Sequence, residues 1–197
     1  QLTVDDTNIT STEAPESTKT FNFTVRSTGN AVLNQINYFL SSRGNISSSW
    51  ITFTPAPNIT SLAASANSIV NVTIAINDTV GYYTGVIDIV SANGGTDNVT
   101  LNITVRNMTI TVEAGGPYST ATVGFPKIVI FGNVTIGSNL TSDANVSIRI
   151  TKDGTLQVSG TTTTSNGGKY FITFGTLGAG SYSVNATTDY RGAVANT

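Results

Sequence analysis

The chain has 197 residues, a formal net charge of −2 and neither histidine nor cysteine. Its 9 Lys and Arg residues against 11 Asp and Glu residues leave no basic surface to neutralise phosphates, so we expect no nucleic-acid partner. Without histidine and cysteine the chain cannot build a Ser–His–Asp triad, a Cys–His nucleophile or a thiolate metal site, and we expect no enzymatic activity, no metal and no cofactor.

Small uncharged polar residues dominate the composition, with 34 Thr, 20 Ser and 20 Asn beside a hydrophobic fraction of 39%. That hydrophobic fraction is enough for a packed core, which argues against a disordered chain. No run of 18 apolar residues occurs, so no membrane span is expected. The chain begins with Gln1 rather than Met, and we expect that a leader was removed from an exported protein.

The first element in chain order is an extended N-terminal segment of residues 1–18. Its first ten residues carry Leu2, Val4 and Ile9 as their large apolar side chains, and residues 11–18 are rich in Ser, Thr, Glu and Pro. Two interpretations fit this pattern. The segment is either the first strand of the domain that follows, or a donor strand on a polar tether that joins the sheet of a neighbouring molecule.

Further along the chain, apolar and polar residues alternate with the period of two that is typical of half-buried strands. The clear alternating runs are Phe21–Val25, Val70–Ile76, Val99–Val105, Met108–Val112, Val146–Ile150, Tyr170–Phe174 and Tyr182–Ala186. Turn signals separate them: STGN at 27–30, NGG at 93–95, KDG at 152–154, NGG at 166–168 and GAG at 178–180. Short strands with such turns predict an all-β chain of β-sandwich domains.

The domain boundary is predicted near Arg106–Asn107, where one strand run ends and the next begins almost at once. This boundary gives a first domain over residues 19–107 and a second over residues 108–197, in addition to the N-terminal tail. Each domain is long enough to bury a core of its own.

Four segments of the first half resemble one group of surface proteins. They are WITFTP at 50–55, SLAASANSIVNVTIAIN at 61–77, YYTGVIDIVSANGG at 82–95 and NVTLNITV at 98–105. Together they look like an immunoglobulin-like domain of the BACON and related surface-protein type, covering residues 20–106. Such domains serve as spacers, adhesion modules or sugar-binding attachments. Trp50 and the pair Tyr82–Tyr83 are then either sugar-stacking aromatics or residues of the core.

The segment SNGGKYFITFGTLGAGSYSVNATTDYRG, residues 165–192, is similar to the closing half of carboxypeptidase-regulatory and collagen-adhesin B-type immunoglobulin-like domains. In those domains one more apolar strand follows. Here only 7 residues follow Tyr190, and Val194 is their one large apolar side chain, so we expect the closing strand to be missing. A domain that lacks a strand exposes an apolar groove and unpaired backbone groups. The residues expected to line this acceptor groove are Tyr170, Ile172, Phe174, Tyr182 and Val184.

Thirteen Asn-x-Ser/Thr sequons occur, where the composition predicts roughly five or six by chance. Strand alternation itself generates Asn-apolar-Thr triplets on a polar outer face, which raises that baseline. Asn is nevertheless depleted in strands, so the excess favours dense N-glycosylation, with covalent glycans as the only added groups. The predicted glycan-bearing residues are Asn8, Asn22, Asn45, Asn58, Asn71, Asn77, Asn98, Asn102, Asn107, Asn133, Asn139, Asn145 and Asn185.

A donor-type tail, a truncated second domain and many sequons together resemble the thread-type filament subunits on the surface of thermoacidophilic archaea. That resemblance implies an extracellular, glycosylated cell-surface filament with a role in adhesion or biofilm cohesion. Identical subunits would join head to tail by donor-strand complementation, with Leu2, Val4 and Ile9 as anchors of the donor strand. The other expected partners are the surfaces of cells or abiotic surfaces. The alternative is a monomeric two-domain adhesin or carbohydrate-binding module of a surface protein.

Overall fold

The computed structural model describes residues 1–76, 79–115, 128–175, 177–178 and 180–197, and nearly all of its regular structure is β-strand. The chain divides into two compact units, which we call unit 1 (Gln1–Arg106) and unit 2 (Asn107–Thr197). Each unit packs its sheets around a hydrophobic core of its own. The predicted fold class, an all-β chain with immunoglobulin-like β-sandwich domains, is confirmed.

Unit 1 forms two sheets from segments whose apolar residues recur at every second position. The described strands are β1 (Leu2–Asp5), β2 (Asn8–Glu13), β3 (Thr18–Ser27), β4 (Leu33–Gly44), β5 (Ile51–Thr54), β6 (Asn58–Leu62), β7 (Asn67–Ala75), β8 (Gly81–Ser91) and β9 (Gly95–Val105), with a 3₁₀ turn at Ser48–Trp50. One sheet has the strand order β1-β3-β7-β5 and the other has the order β2-β9-β8-β4-β6. Alternate residues of each strand therefore point into the space between the sheets.

Aromatic rings fill the centre of the unit 1 core. Phe23 and Tyr38 meet edge to face with ring centroids 6.4 Å apart, and Phe53 meets Tyr38 at 5.2 Å. Such pairs add about 0.5–1.5 kcal/mol to the stabilisation from burial alone. The Tyr38 hydroxyl donates a hydrogen bond to the carbonyl oxygen of Pro55 at 2.9 Å, and burial raises the pKa of Tyr38. The one polar atom of this aromatic cluster is therefore satisfied inside the sandwich.

The N-terminal segment forms the first two strands of unit 1, which corrects the prediction of a separate tail over residues 1–18. β1 pairs antiparallel with β3, so that Val4 lies opposite Val25. The chain then turns at Asp6, which has a φ of 60°, and β2 runs parallel to β9 in the opposite sheet. The predicted tether is reduced to a turn between β2 and β3, in which Ala14 and Ser17 are both inaccessible to solvent. A single N-terminal segment thus closes one edge of each sheet.

Unit 2 is built in the same way from shorter strands. They are β10 (Met108–Ile110), β11 (Glu113–Gly115), β12 (Ile128–Ile136), β13 (Asn139–Leu140), β14 (Asn145–Lys152), β15 (Thr155–Thr163), β16 (Lys169–Phe174), β17 (Ser183–Tyr190) and β18 (Ala193–Asn196). β12 is the central strand of one sheet and pairs with β10, β11, β13 and β16, while the other sheet has the order β15-β14-β17-β18. The core between them is mostly aliphatic and includes Ile130, Val134, Val146, Ile148 and Ile150.

A glycine in β12 allows two segments of unit 2 to approach closely. A Cβ atom at Gly132 would lie 2.0 Å from the carbonyl oxygen of Thr111, so no larger residue fits without moving that backbone. The same carbonyl oxygen accepts a hydrogen bond of 2.7 Å from the Tyr170 hydroxyl. The link between β10 and β11 is thereby tied to β16 across β12.

The closing strand predicted to be missing from the second domain is present as β18. Arg191 and Gly192 have φ values of 55° and 96°, and they form a two-residue hairpin turn between β17 and β18. Ala193, which faces inward, is 3% exposed, whereas Val194 points outward and is 61% exposed. Thr197 extends the pairing, since its backbone N–H donates to the carbonyl of Ala186 at 3.0 Å. The sequence analysis expected a large apolar residue facing inward in this strand, but the small residue Ala193 occupies that position.

Candidate functional site

The sequon asparagines lie outside both cores wherever the structure describes them. Asn77 lies outside the described residues. Two of the remaining twelve are half-buried, Asn102 and Asn133. The other ten are exposed: Asn8, Asn22, Asn45, Asn58, Asn71, Asn98, Asn107, Asn139, Asn145 and Asn185.

This placement follows from the strand period. In nine of the twelve described sequons the middle residue is buried, so Asn and Ser/Thr on either side of it project from the outer face. The sequon of Asn22 shows the pattern, because Phe23 is fully buried and Thr24 is half-buried. Asn22 also lies directly opposite Asn71 on the neighbouring strand β7. Most of the described sequon asparagines therefore lie on the outer faces of the sheets, where their side chains are accessible.

Three sequon asparagines meet around one exposed tyrosine in unit 1, and we call this group the Tyr82 cluster: Asn8, Asn45, Asn102 and Tyr82. The Tyr82 hydroxyl donates to Oδ1 of Asn102 at 2.8 Å, and Nδ2 of Asn102 donates to Oδ1 of Asn8 at 2.8 Å. Asn45 binds the backbone of β8, where its Oδ1 accepts from the N–H of Thr84 at 2.6 Å and its Nδ2 donates to the carbonyl of Tyr82 at 3.1 Å. This contact could not be predicted from the sequence, because Asn45 is distant from β8 along the chain.

The predicted donor anchors are core residues of their own unit, which corrects their assignment to a free strand. Leu2, Val4 and Ile9 are 4%, 7% and 8% exposed and pack in the unit 1 core. The backbone N–H of Leu2 donates to the carbonyl of Gly94 at 3.0 Å, and that of Val4 donates to a carboxylate oxygen of Asp97 at 2.8 Å. β1 is thus bonded to the hairpin between β8 and β9 as well as to β3.

The residues predicted to line an acceptor groove pack against the core of unit 2 instead. Tyr170 and Phe174 are 2% and 7% exposed, and burial raises the pKa of Tyr170 to about 12. Ile172, Tyr182 and Val184 are half-buried against the same core. Because β18 already pairs with β17, this edge of the sheet is occupied by the chain itself.

Two ion pairs are described on the surface of unit 1. Arg26 on β3 donates from Nε to Asp5 on β1 at 2.6 Å, and this hydrogen bond, with the charge of Asp5, raises the pKa of Arg26. Arg43 pairs with Asp88 on β8. Among the residues that the structure describes, no group of three or more acidic side chains could hold a metal ion. Exposed pairs of this kind contribute little to stability.

The aromatic residues singled out in the sequence divide between core and surface. Trp50 is 8% exposed and packs against Tyr83 with ring centroids 5.0 Å apart, so the core interpretation holds for both. Tyr82 is 59% exposed. A second exposed group was missed: Phe131 on β12 and Phe171 on β16 lie directly opposite each other and are 36% and 71% exposed. The outer face of unit 2 therefore carries an apolar pair.

No protein-family model and no curated protein matches this chain. Solved structures with a similar arrangement of strands include the D0–D1 domains of intimin, at 19% identity and a TM-score of 0.34 over 94% of this chain and 89% of that one. The CupB2 chaperone of Pseudomonas aeruginosa has 10% identity and a TM-score of 0.41, and the match covers 99% of this chain and 98% of the chaperone. A family 123 glycoside hydrolase from Clostridium perfringens has 13% identity and a TM-score of 0.41, but the chain spans only 23% of its length. At these scores the likenesses say nothing about function.

Among the described residues no helix has the length and apolar character needed to cross a membrane.

Proposed function

We propose that the chain is a non-enzymatic structural subunit of an extracellular surface assembly, and that N-linked glycans cover its outer faces. The observation that carries this proposal is the position of the twelve sequon asparagines that the structure describes, all of which lie outside the cores. Only 10% of the residues are charged, whereas about 25% is usual. Glycans would supply the hydration that charged side chains supply on other surfaces.

The mass of the native protein tests the glycosylation directly. Chemical removal of the glycans from protein isolated from its source should lower its mass by several discrete sugar masses. An unchanged mass after this treatment would overturn this part of the proposal.

The same proposal includes a head-to-tail filament of identical subunits, with a role in adhesion or biofilm cohesion. We do not expect the N-terminal strand to be donated into unit 2, because β18 already pairs with the edge of that sheet. The alternative route is the exchange of β1 and β2 between the unit 1 domains of neighbouring copies. Both strands lie at the edge of their sheets, so their exchange leaves the remaining strand pairs intact. Exchange requires the turn at residues 14–17, in which Ala14 and Ser17 are buried, to open and act as the hinge.

A pair of introduced cysteines distinguishes a closed subunit from an exchanged one, because the chain has no cysteine of its own. Thr3 and Arg26 lie opposite each other on β1 and β3, at a spacing that suits a disulfide. In an exchanged filament the variant with Thr3→Cys and Arg26→Cys should give a ladder of covalent oligomers on a non-reducing gel. A pair at Thr20 and Thr73, which are opposite on β3 and β7, should link only within one chain and serves as the control.

If the assembled protein carries the first pair only as an intramolecular bond, strand exchange is wrong. The glycosylation part of the proposal does not depend on this result. Electron microscopy of the same preparation shows whether filaments are present at all.

The alternative function, an adhesin or carbohydrate-binding module, is favoured by one specific observation. Phe131 and Phe171 form an exposed cross-strand pair on the outer face of a sheet, and two adjacent exposed rings can stack against a sugar ring. The variant Phe171→Ser should weaken retention on immobilised polysaccharide while leaving the fold intact. Ile69→Thr, at a residue that is 60% exposed on unit 1, is the matched control. Equal retention of both variants and the parent chain would remove this candidate.

A further inference from the structure

The Tyr82 cluster contains three sequon asparagines that make hydrogen bonds. Asn8 and Asn102 are bonded to each other, and Asn45 is bonded to the backbone of β8. Asn8 lies on β2, Asn102 on β9 and Asn45 just after β4. We propose that this cluster carries a single glycan, at Asn8, and that Asn45 and Asn102 are structural asparagines that remain unmodified. The inference rests on the proposed glycosylation of the chain and specifies which of its sequons are used.

Asn45 takes the place of a strand residue at an irregular point in the sheet. The pairing of β4 with β8 breaks between Leu40 and Gly44. Beyond the break, Asn45 holds β8 at two points, with Oδ1 on the N–H of Thr84 and Nδ2 on the carbonyl of Tyr82. These two backbone groups lie on the same edge of β8, since residues two apart along a strand point the same way. The contact therefore uses Oδ1 together with the Nδ2 hydrogen on the same side of the amide.

An N-linked sugar is incompatible with this two-point contact. It replaces one Nδ2 hydrogen and converts the side chain into a secondary amide, which strongly prefers the trans form, as the peptide bond does. In the trans form the sugar carbon lies on the same side of the amide as Oδ1. It would occupy the position of the hydrogen that Asn45 donates to the carbonyl of Tyr82. A glycan at Asn45 thus requires either a cis amide or the loss of the contact.

Asn102 is held from both sides by its neighbours in the sheet. Its Oδ1 accepts from the Tyr82 hydroxyl and its Nδ2 donates to Asn8, each at 2.8 Å. The side chain is half-buried, and β9 lies between β2 and β8, so the amide spans the gap between the two flanking side chains. A sugar on Nδ2 would have to separate Asn8 from Asn102 or displace the Tyr82 ring.

Asn8 is the member of the cluster that is free to accept a sugar. It is exposed, and its Oδ1 receives the hydrogen bond from Asn102. Its own Nδ2 donates no hydrogen bond to any residue that the structure describes. A glycan on this nitrogen leaves the bond to Oδ1 intact, because Oδ1 remains an acceptor in a secondary amide.

Site-resolved mass spectrometry of glycopeptides from the native protein tests the assignment. We expect glycan on the peptide that contains Asn8 and none on Asn45 or Asn102, with glycan also present at Asn98, an exposed sequon elsewhere on β9. Glycan at Asn45 or Asn102 together with glycan elsewhere would overturn this inference and leave the proposed function standing. A native chain without any glycan would overturn both.

A second measurement tests the structural role and needs no glycan. In protein made in a host without N-glycosylation, Asn45→Gln should lower the melting temperature of unit 1 by about 5 °C, since the longer amide no longer reaches both backbone groups. Asn98→Gln should leave it unchanged, and is the matched control because the Asn98 side chain makes no hydrogen bond with the described residues. Fluorescence of Trp50, the only tryptophan, reports on unit 1. Equal melting temperatures for the two variants would contradict a structural role for Asn45.

Discussion

At the scale of single residues, the described interior of this protein is mostly apolar. Its buried polar side chains are those of a few tyrosine, serine and threonine residues and of Glu13. Each described buried polar side-chain atom has a hydrogen-bond partner. Tyr170 is the clearest case, because its hydroxyl reaches the carbonyl oxygen of Thr111 in the space that Gly132 leaves open. An unpaired group in this position would cost about 1–3 kcal/mol.

Replacing this tyrosine should reveal its contribution in two ways. Tyr170→Phe removes the donor to the carbonyl of Thr111 and should destabilise unit 2 by about 1–2 kcal/mol near neutral pH. The variant should also change the alkaline limit of stability. The pKa of Tyr170 is raised to about 12, so between pH 10 and 12 the unfolded chain loses this proton while the folded chain keeps it. The parent chain should therefore lose stability as pH rises through that window, by at most about 1.4 kcal/mol per pH unit for this group.

Urea unfolding followed by circular dichroism at pH 8, 10 and 11 measures both effects. Tyr38→Phe is the control, since Tyr38 also has a raised pKa but lies in unit 1. A Tyr170→Phe chain that is as stable as the parent at pH 8, with the same decline at pH 11, would contradict the role of this hydroxyl.

At the scale of elements, the edges of the sheets are completed by the two ends of the described chain. β1 and β2 close one edge of each sheet in unit 1, and β18 closes the second sheet of unit 2. Edge strands as short as these leave few unpaired backbone groups that could attract other chains. From the sequence, the segment that forms β1 and β2 was predicted to be a donor strand. The edge that β18 occupies was predicted to be an empty acceptor groove.

Leu2→Ala tests whether β1 is part of unit 1. The Leu2 side chain is 4% exposed, and its truncation should destabilise unit 1 by about 2–3 kcal/mol. Denaturant unfolding followed through Trp50 fluorescence measures this change. Thr3→Ala, on the outer face of the same strand, should shift the midpoint little. A free N-terminal tail would give the same midpoint for Leu2→Ala and the parent chain.

Removal of the last strand tests the closure of unit 2. A chain that ends at Tyr190 lacks β18 and should expose the edge of β17, so we expect unit 2 to unfold at a lower denaturant concentration and the protein to aggregate. Trp50 lies in unit 1, so its fluorescence midpoint is the internal control. Val194→Thr changes only an exposed side chain of β18 and should behave like the parent. Unchanged unfolding of the truncated chain would show that β18 adds nothing to the sheet.

A comparison of these strands with the sequence shows which of them could be predicted. Alternation identified β3, β7, β9, β14, β16 and β17, because each of these strands has one buried face. It failed for β18, where a small inward residue, Ala193, carries no hydrophobic signal. It could not distinguish a strand that completes its own sheet from one that completes a neighbour's, since both need the apolar residues Leu2 and Val4. The Tyr82 cluster was beyond prediction because it depends on which strands become neighbours.

At the scale of the whole molecule, the chain combines two sandwiches, a low charge content and no histidine. Histidine is the only side chain whose ordinary pKa lies between pH 5 and 8, and carboxyl groups ordinarily titrate near pH 4. A difference in proton binding between folded and unfolded chains is what makes stability depend on pH. We therefore expect the melting temperature to change by less than about 2 °C between pH 7.0 and 5.5.

Differential scanning calorimetry at constant ionic strength measures this dependence, and buffers with small ionisation enthalpies keep the pH fixed during the scan. The two ion pairs described on unit 1, Arg26 with Asp5 and Arg43 with Asp88, lie at the surface and contribute little to stability, so salt should have little effect in the same range. A rise of more than about 5 °C on acidification to pH 5.5 would contradict this expectation. It would mean that an acidic group titrates well above its ordinary range in the folded chain, because the folded chain would then hold a proton that the unfolded chain has lost.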